Sequence, residues 1–143
     1  EFLHPPASFP DLGNQSSCVL RVSGGGGTTL LPGDVDALVE GRLLATRAAL
    51  RADVIVVPHH GSAGSSSPPF VAAVGAALAL VSAGAHNRFG HPAPAVVRRW
   101  GEAGARIEST ARAGSLHVRV DPAAGVQWRG GWRERQPRWW RER

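Results

Sequence analysis

The sequence predicts an α/β fold, a mixed sheet with flanking helices. Three observations point to it. Short runs of β-branched and aliphatic residues recur as CVLRV (18–22), DVIVV (53–57) and LALVS (78–82), the pattern of strands buried in a sheet. Stretches with apolar residues at helical spacing lie between them. Proline and glycine clusters separate the two kinds of segment.

In chain order, residues 1–17 read as a strand end and a loop, punctuated by Pro5, Pro6, Pro10 and Gly13. Cys18–Val22 reads as a buried strand, Gly24–Gly27 as a flexible turn and Thr28–Leu31 as the returning strand of a hairpin. Pro32 and Gly33 end it, and Asp34 and Asp36 stand where a helix can start. Leu38, Leu43, Leu44, Ala48 and Leu50 then predict a helix over 36–51. Asp53–Val57 is a strand of the central type, closed by Pro58, and 59–67 is a polar loop. Pro68 or Pro69 opens a short helix through Val74. Leu78–Ser82 is the next strand, 84–94 a loop, and 95–103 a helix with Val96, Val97 and Trp100 on one face. Arg106–Ser109 and Ser115–Val120 are expected as the last two core strands, with Val126–Arg129 extending the sheet.

The chain has 143 residues and is 43% hydrophobic, enough for one domain with a core and too apolar for wholesale disorder. No apolar run reaches the roughly 18–20 residues that cross a bilayer, and the first residues lack the pattern of a signal peptide, so this stretch is expected to be soluble. One cysteine, Cys18, excludes an internal disulfide and a multi-cysteine zinc site; heading an apolar strand, it is expected in the core. The formal charge of +5 is unevenly placed. Residues 1–125 are almost neutral, whereas 126–143 hold six of the 16 Arg and four of the five Trp. This division suggests a body over 1–125 and a basic Trp/Arg tail over 126–143. The tail suits stacking on unpaired bases, a membrane interface, or a disordered terminus without a partner.

Chemistry gathers at three strand ends. The first is Pro58-His59-His60-Gly61-Ser62 after a buried strand, where adjacent imidazoles can supply one metal ligand and one acid/base or phosphate contact. The same stretch also reads as a solvated turn. The second is LLPGD, ending at Asp34; one aspartate there can face a site while Asp36 caps the following helix. The third is HNRFGHP (86–92), where Asn87 and Arg88 can meet a phosphate and His91 is held between Gly90 and Pro92. His4 reads as structural and His117 as solvent-facing on a strand. Ser62 and the serines at 65–67 lack the strand–turn–helix setting of a hydrolase nucleophile.

Taken in order, Asn14-Gln15-Ser16-Ser17 with CVLRV, LLPGD, VPHHGSAGSSSPPF, NRFGHP, and Thr110 with Gly114 resemble the C-terminal half of a metallo-β-lactamase-like domain. More narrowly they resemble that domain in the ComEC family of DNA-internalisation proteins of natural competence. The resemblance implies half of an αββα sandwich and a metal-dependent phosphodiesterase or nuclease site binding one or two Zn or Mn ions. It makes Asp34 and His60 the metal ligands, His59, His91 and Asn87 the catalytic groups, and Ser62, Ser66 and Arg88 the substrate contacts. Asn14 lies where many members of the fold place another metal-binding histidine. The H-x-H-x-D-H signature of the N-terminal half is absent, so the chain is expected to be a fragment with two of the usual ligands and no robust activity alone. Its implied partners are single-stranded DNA, the membrane channel region of the parent, the N-terminal half of the domain, and other copies of itself through an uncovered sheet. The implied parent sits in the cytoplasmic membrane with this domain on the outer side. Two other functions stay open: a non-catalytic DNA-binding or scaffolding module, and a hydrolase of the same fold acting on another ester.

Overall fold

The structure, a computed structural model, describes residues 1–136. Phe2–His4 (β1) pairs antiparallel with Val19–Gly24 (β2), which turns through Gly25 and Gly26 into antiparallel Gly27–Leu31 (β3). Val54–Val56 (β4), Leu78–Val81 (β5) and Arg106–Ser109 (β6) then add in parallel, giving a six-stranded mixed sheet in sequence order. Helices Ala37–Ala45 (α1), Pro68–Val74 (α2) and Pro94–Glu102 (α3) make the three crossovers. The predicted α/β class and the order of these elements are what the structure shows.

The core lies between the sheet and these helices. Leu30, Ile55 and Ala79 sit side by side on adjacent strands and are buried beneath Val39 and Leu43 of α1, Phe70 and Val74 of α2, and Val96 and Trp100 of α3. Alternation sends Leu20, Leu31, Val56 and Leu80 to the other face, where they are half-buried or exposed.

Asp36 caps α1, as expected: its carboxylate accepts from the backbone N–H groups of Leu38 (3.1 Å) and Val39 (3.2 Å). The helix stops at Ala45 rather than near 51. The Thr46 hydroxyl donates to the Arg42 and Leu43 carbonyls at the helix end, and Arg47 turns left-handed with φ 53°. Leu50 still reaches the core, but from the loop.

Three expectations need correction. Ser115–Val120 does not join the core sheet. After β6 the chain forms a short helix, Thr110–Ala113 (α4), capped by the Ser109 hydroxyl, and Gly114 (φ 75°) redirects it. Leu116–Asp121 (β7) and Gly125–Gly131 (β8) then pair only with each other, as an antiparallel ribbon. No β7 residue is fully buried, so its alternation reports an amphipathic ribbon rather than a core strand. The ribbon leans on the β2–β3 turn. A Cβ at Gly26 would overlap the backbone of Asp121, so only glycine admits that approach. Trp128 lies under the Arg106 guanidinium, 5.3 Å from the ring centre.

The second is Val126–Arg129, which extends only the ribbon and not the core sheet. Val126–Gly131 belongs to β8, and Trp132–Arg135 forms one helical turn (α5); the rest of the expected tail, 137–143 with Trp139 and Trp140, lies outside the described residues. The third is Cys18, which is exposed because the buried part of the strand begins at Val19. His4 is buried and structural, with Nε2 2.7 Å from the Gln15 carbonyl and its ring edge-on to Phe9. His117 is exposed, as expected. Among the described residues no helix is long and apolar enough to cross a membrane.

Candidate functional site

Parallel strands release their following loops on one edge of a sheet, and functional groups collect there. Asp34 follows β3, His59 and His60 follow β4, residues 82–91 follow β5, and Thr110–Ser115 follow β6. The three strand ends singled out in the sequence therefore meet on one edge.

Pro58–Gly61 forms a 3-10 turn in which His59 (φ 49°) and His60 (φ 55°) are both left-handed, followed by Gly61 at φ 81°. Left-handed backbone costs a residue other than glycine about 1–3 kcal/mol, so neighbouring structure must hold it. Several bonds do so. The His59 N–H donates to the Gly33 carbonyl (3.0 Å), the Ser62 N–H to the His59 carbonyl (2.8 Å) and the Ala93 N–H to the Gly61 carbonyl (2.8 Å). A Cβ at Gly61 would lie 2.6 Å from Pro92 Cβ, so glycine lets the histidine turn close on the loop that carries His91.

His60 donates from Nδ1 to the Ser82 carbonyl (2.8 Å). A carbonyl only accepts, so in the neutral ring Nδ1 carries the proton and Nε2 keeps its lone pair. That Nε2 stands 3.7 Å from Asp34 Oδ1, and both side chains are partly open to solvent (49% and 39% exposed). Metal-ligating histidines are commonly oriented by such a bond from the other ring nitrogen. The Asp34 backbone N–H donates to the Ser17 hydroxyl (3.2 Å), tying the loop before β2 to the site.

His59 stands beside this pair, its ring centre 6.5 Å from that of His60 and 6.1 Å from that of His91. The Asn14 amide approaches its Nε2 at 3.3 Å. His91 stacks on Phe89, with ring centres 5.8 Å apart and planes 19° from parallel. The Asn87 amide donates to the Gly84 (2.9 Å) and His91 (2.7 Å) carbonyls and its oxygen accepts the His91 N–H (2.9 Å). Asn87 therefore holds His91 in place, and its polar atoms are already engaged within the loop. Arg88 is exposed, with its guanidinium 4.8 Å from the Phe89 ring centre. Ser62 is half-buried, and its hydroxyl accepts the Gly64 N–H at 3.4 Å. A cavity of about 600 Å³ opens beside His60 and His91, with Phe89, Thr110, Gly114 and Ser115 among its walls.

Ser66 does not belong to this open face, which corrects its expected role as a substrate contact. It is fully buried, its hydroxyl accepts from the Trp100 indole N–H (3.1 Å), and its carbonyl accepts from Arg99. Buried tryptophan needs an acceptor, and Ser66 supplies it. The serine run is an internal brace for the histidine turn: Ser65 donates from its hydroxyl to the Pro58 and Ser62 carbonyls, both at 2.9 Å.

Glu40, missed in the sequence, completes the brace. Fully buried on α1, its carboxylate accepts from the backbone N–H groups of Ser66 (2.5 Å) and Ser67 (2.7 Å). Burial pushes its pKa above the ordinary carboxylate value, opposed by these hydrogen bonds and by Arg99. The available signal was its spacing, since an acid one residue from Val39 and three from Leu43 sits within the buried stripe.

The donors can be tested against a divalent ion. His60 Nε2 and Asp34 Oδ1 are a nitrogen and a carboxylate oxygen, and 3.7 Å is short enough for both to reach one ion at about 2.0–2.2 Å each. Zinc centres use at least three protein ligands, and among the described residues no group of three or more His, Cys, Asp or Glu converges. The pair suits part of a centre, not a whole one.

Among known proteins, the chain is similar to bacterial competence proteins. It is 32% identical to ComE operon protein 3 of Bacillus subtilis over 124 residues, covering 87% of this chain and 16% of that protein. It is 38% identical to competence protein ComA of Neisseria gonorrhoeae over 117 residues, 81% of this chain and 17% of that protein. It is 33% identical to recombination protein 2 of Haemophilus influenzae over 105 residues, 73% of this chain and 13% of that protein. The chain thus spans less than a fifth of the length of these relatives. No family model matches it.

Proposed function

We propose that this chain is the C-terminal half of a metallo-β-lactamase-like αββα sandwich in a ComEC-type DNA-uptake protein, and that the complete site hydrolyses phosphodiesters in incoming single-stranded DNA. The observation that carries this reading is the orientation of His60, whose Nδ1 is engaged so that Nε2 faces Asp34 on the strand-end edge. Similarity to competence proteins over most of the chain supports the uptake context.

His60 and Asp34 would hold the ion, Zn or Mn. When bound, such an ion supplies Lewis-acid polarisation and a water acidic enough to act as nucleophile near neutral pH. His59 and His91 stand beside the pair and would donate hydrogen bonds to phosphate oxygens. Asn87 acts through His91 by fixing its loop, and Ser62 and exposed Arg88 are left for the outer phosphate contacts.

The missing ligands and the cover for the second sheet face would come from a preceding segment of a larger protein. Half-buried Leu20, Val56 and Leu80 and exposed Leu31 are the apolar surface such a segment would bury. A membrane channel in the parent protein, with this domain on the outer side, and pairing of isolated copies through the same face belong to this reading.

The test compares this chain with a protein extended to include that segment, assayed with Mn on single-stranded DNA. The extended protein is expected to cleave and to lose cleavage with Asp34→Ala or His60→Ala; the present chain is expected to be inactive. An inactive, folded extended protein, or one indifferent to both substitutions, overturns the reading. That two donors rather than three converge among the described residues favours a second reading, a non-catalytic DNA-binding or scaffolding module. The same assay separates the two, since a module binds DNA without cutting it.

A further inference from the structure

The phosphoester reading leaves the 600 Å³ cavity beside His60 without a role. Its walls differ from the polar strand-end cluster. Apart from His60 and His91 they are mainly small or apolar, and the largest group is Phe89, which is 65% exposed. The loop is built to hold it: Asn87 makes three hydrogen bonds to its backbone, and Phe89 lies nearly parallel to His91. The far wall is Gly114 and Ser115. There the backbone N–H of Trp132 donates to the Ser115 carbonyl (2.8 Å), and a Cβ at Gly114 would lie 3.4 Å from Trp132 Cβ and from Arg133 Cγ. Trp132 is 42% exposed, and Arg133 leaves the same rim. Two arginine–aromatic pairs thus stand near the cavity, Arg88 with Phe89 on one loop and Trp132 with Arg133 beside Gly114, where the Arg133 guanidinium donates to the Ala111 carbonyl (2.6 Å).

We propose that this cavity is a nucleobase subsite: it receives the base next to the phosphate held at His60, with Phe89 as its stacking wall and Trp132 as the next platform along the strand. The proposal rests on the phosphoester reading and adds to it where the bases go. Planar stacking fits the parallel Phe89–His91 pair, and it accepts any base, as a protein handling arbitrary sequence requires. Cation–π contact of Arg88 with Phe89 keeps a guanidinium beside that ring, a charge that would favour a neighbouring phosphate.

The test uses the full chain and a single-stranded pentanucleotide with one 2-aminopurine, whose fluorescence falls on stacking. Wild type is expected to quench it, and an abasic pentamer with the same number of phosphates is expected to compete about tenfold or more less well than a normal one. Phe89→Ala is expected to lose most of the quench and most of the preference for the normal competitor, while Phe89→Trp restores both. Phe89 is exposed, so neither change threatens the fold. Equal competition by abasic and normal pentamers, or an unchanged quench in Phe89→Ala, overturns the base subsite while leaving the phosphate reading standing. Failure of both pentamers to bind overturns both readings.

Discussion

Replacing Glu40 by alanine tests whether the buried brace supports the histidine turn. The substitution removes the acceptor for two backbone N–H groups, of Ser66 and Ser67, at 2.5 and 2.7 Å. A buried donor left without a partner costs about 1–3 kcal/mol. Ser66 is fully buried and bears that in full, whereas half-buried Ser67 can recruit water and bears less. Lost side-chain packing adds about 1 kcal/mol. Removing a carboxyl that burial disfavours returns part of the total, leaving a net loss of about 2–4 kcal/mol. For a chain of this length that is a fall of about 10 °C in melting temperature. Glu40→Gln keeps one acceptor oxygen and is expected to lose about half as much. The pH dependence follows from the raised pKa. A carboxyl whose folded pKa exceeds its unfolded one contributes most at acid pH, below the unfolded value, and that contribution falls away as pH rises through the folded value. The penalty of Glu40→Gln should therefore be largest at low pH and shrink as pH rises past the carboxylate range. Urea denaturation of wild type and both variants across this range is the assay. A loss under about 0.5 kcal/mol for Glu40→Ala, or a glutamine penalty that grows with pH, would refute the brace and its electrostatics.

Asp36→Ala should cost about 1 kcal/mol through the lost cap of α1, whereas Asp34→Ala should leave thermal stability nearly unchanged, because Asp34 is partly exposed and caps nothing. Equal losses in thermal melts would show that the two aspartates do not divide these roles. Gly61→Ala meets both a left-handed φ and Pro92 at 2.6 Å, and is expected to destabilise by about 1–3 kcal/mol in urea titrations; a neutral result would mean the two loops are not tightly apposed. Asn87→Ala should leave global stability almost intact while hydrogen exchange accelerates across 84–91, since its bonds are local to that loop; unchanged protection there would remove its positioning role.

The sequence by itself determined the features that depend on near neighbours. The aliphatic runs, the Gly25–Gly26 turn, the Asp36 cap and the proline-led α2 were all legible, because strand propensity, turn geometry and capping act within a few residues. So was the meeting of Asp34, His59, His60 and the 86–92 loop, because parallel strands in sequence order place their ends on one edge. Only the tertiary structure decided what burial decides. β7 alternates like a core strand, yet the turn at Gly114 carries it away from the sheet. Ser66 reads as a polar loop residue, yet lies under Trp100, and Glu40, whose spacing puts it on the buried stripe, finds its partners only in the serine loop that it anchors from inside. Such partners lie about 30 residues apart along the chain, where no local spacing rule reaches. Which face of a short polar segment turns inward is set by the groups that must find hydrogen-bond partners once water is gone, and those exist only when the helices have packed.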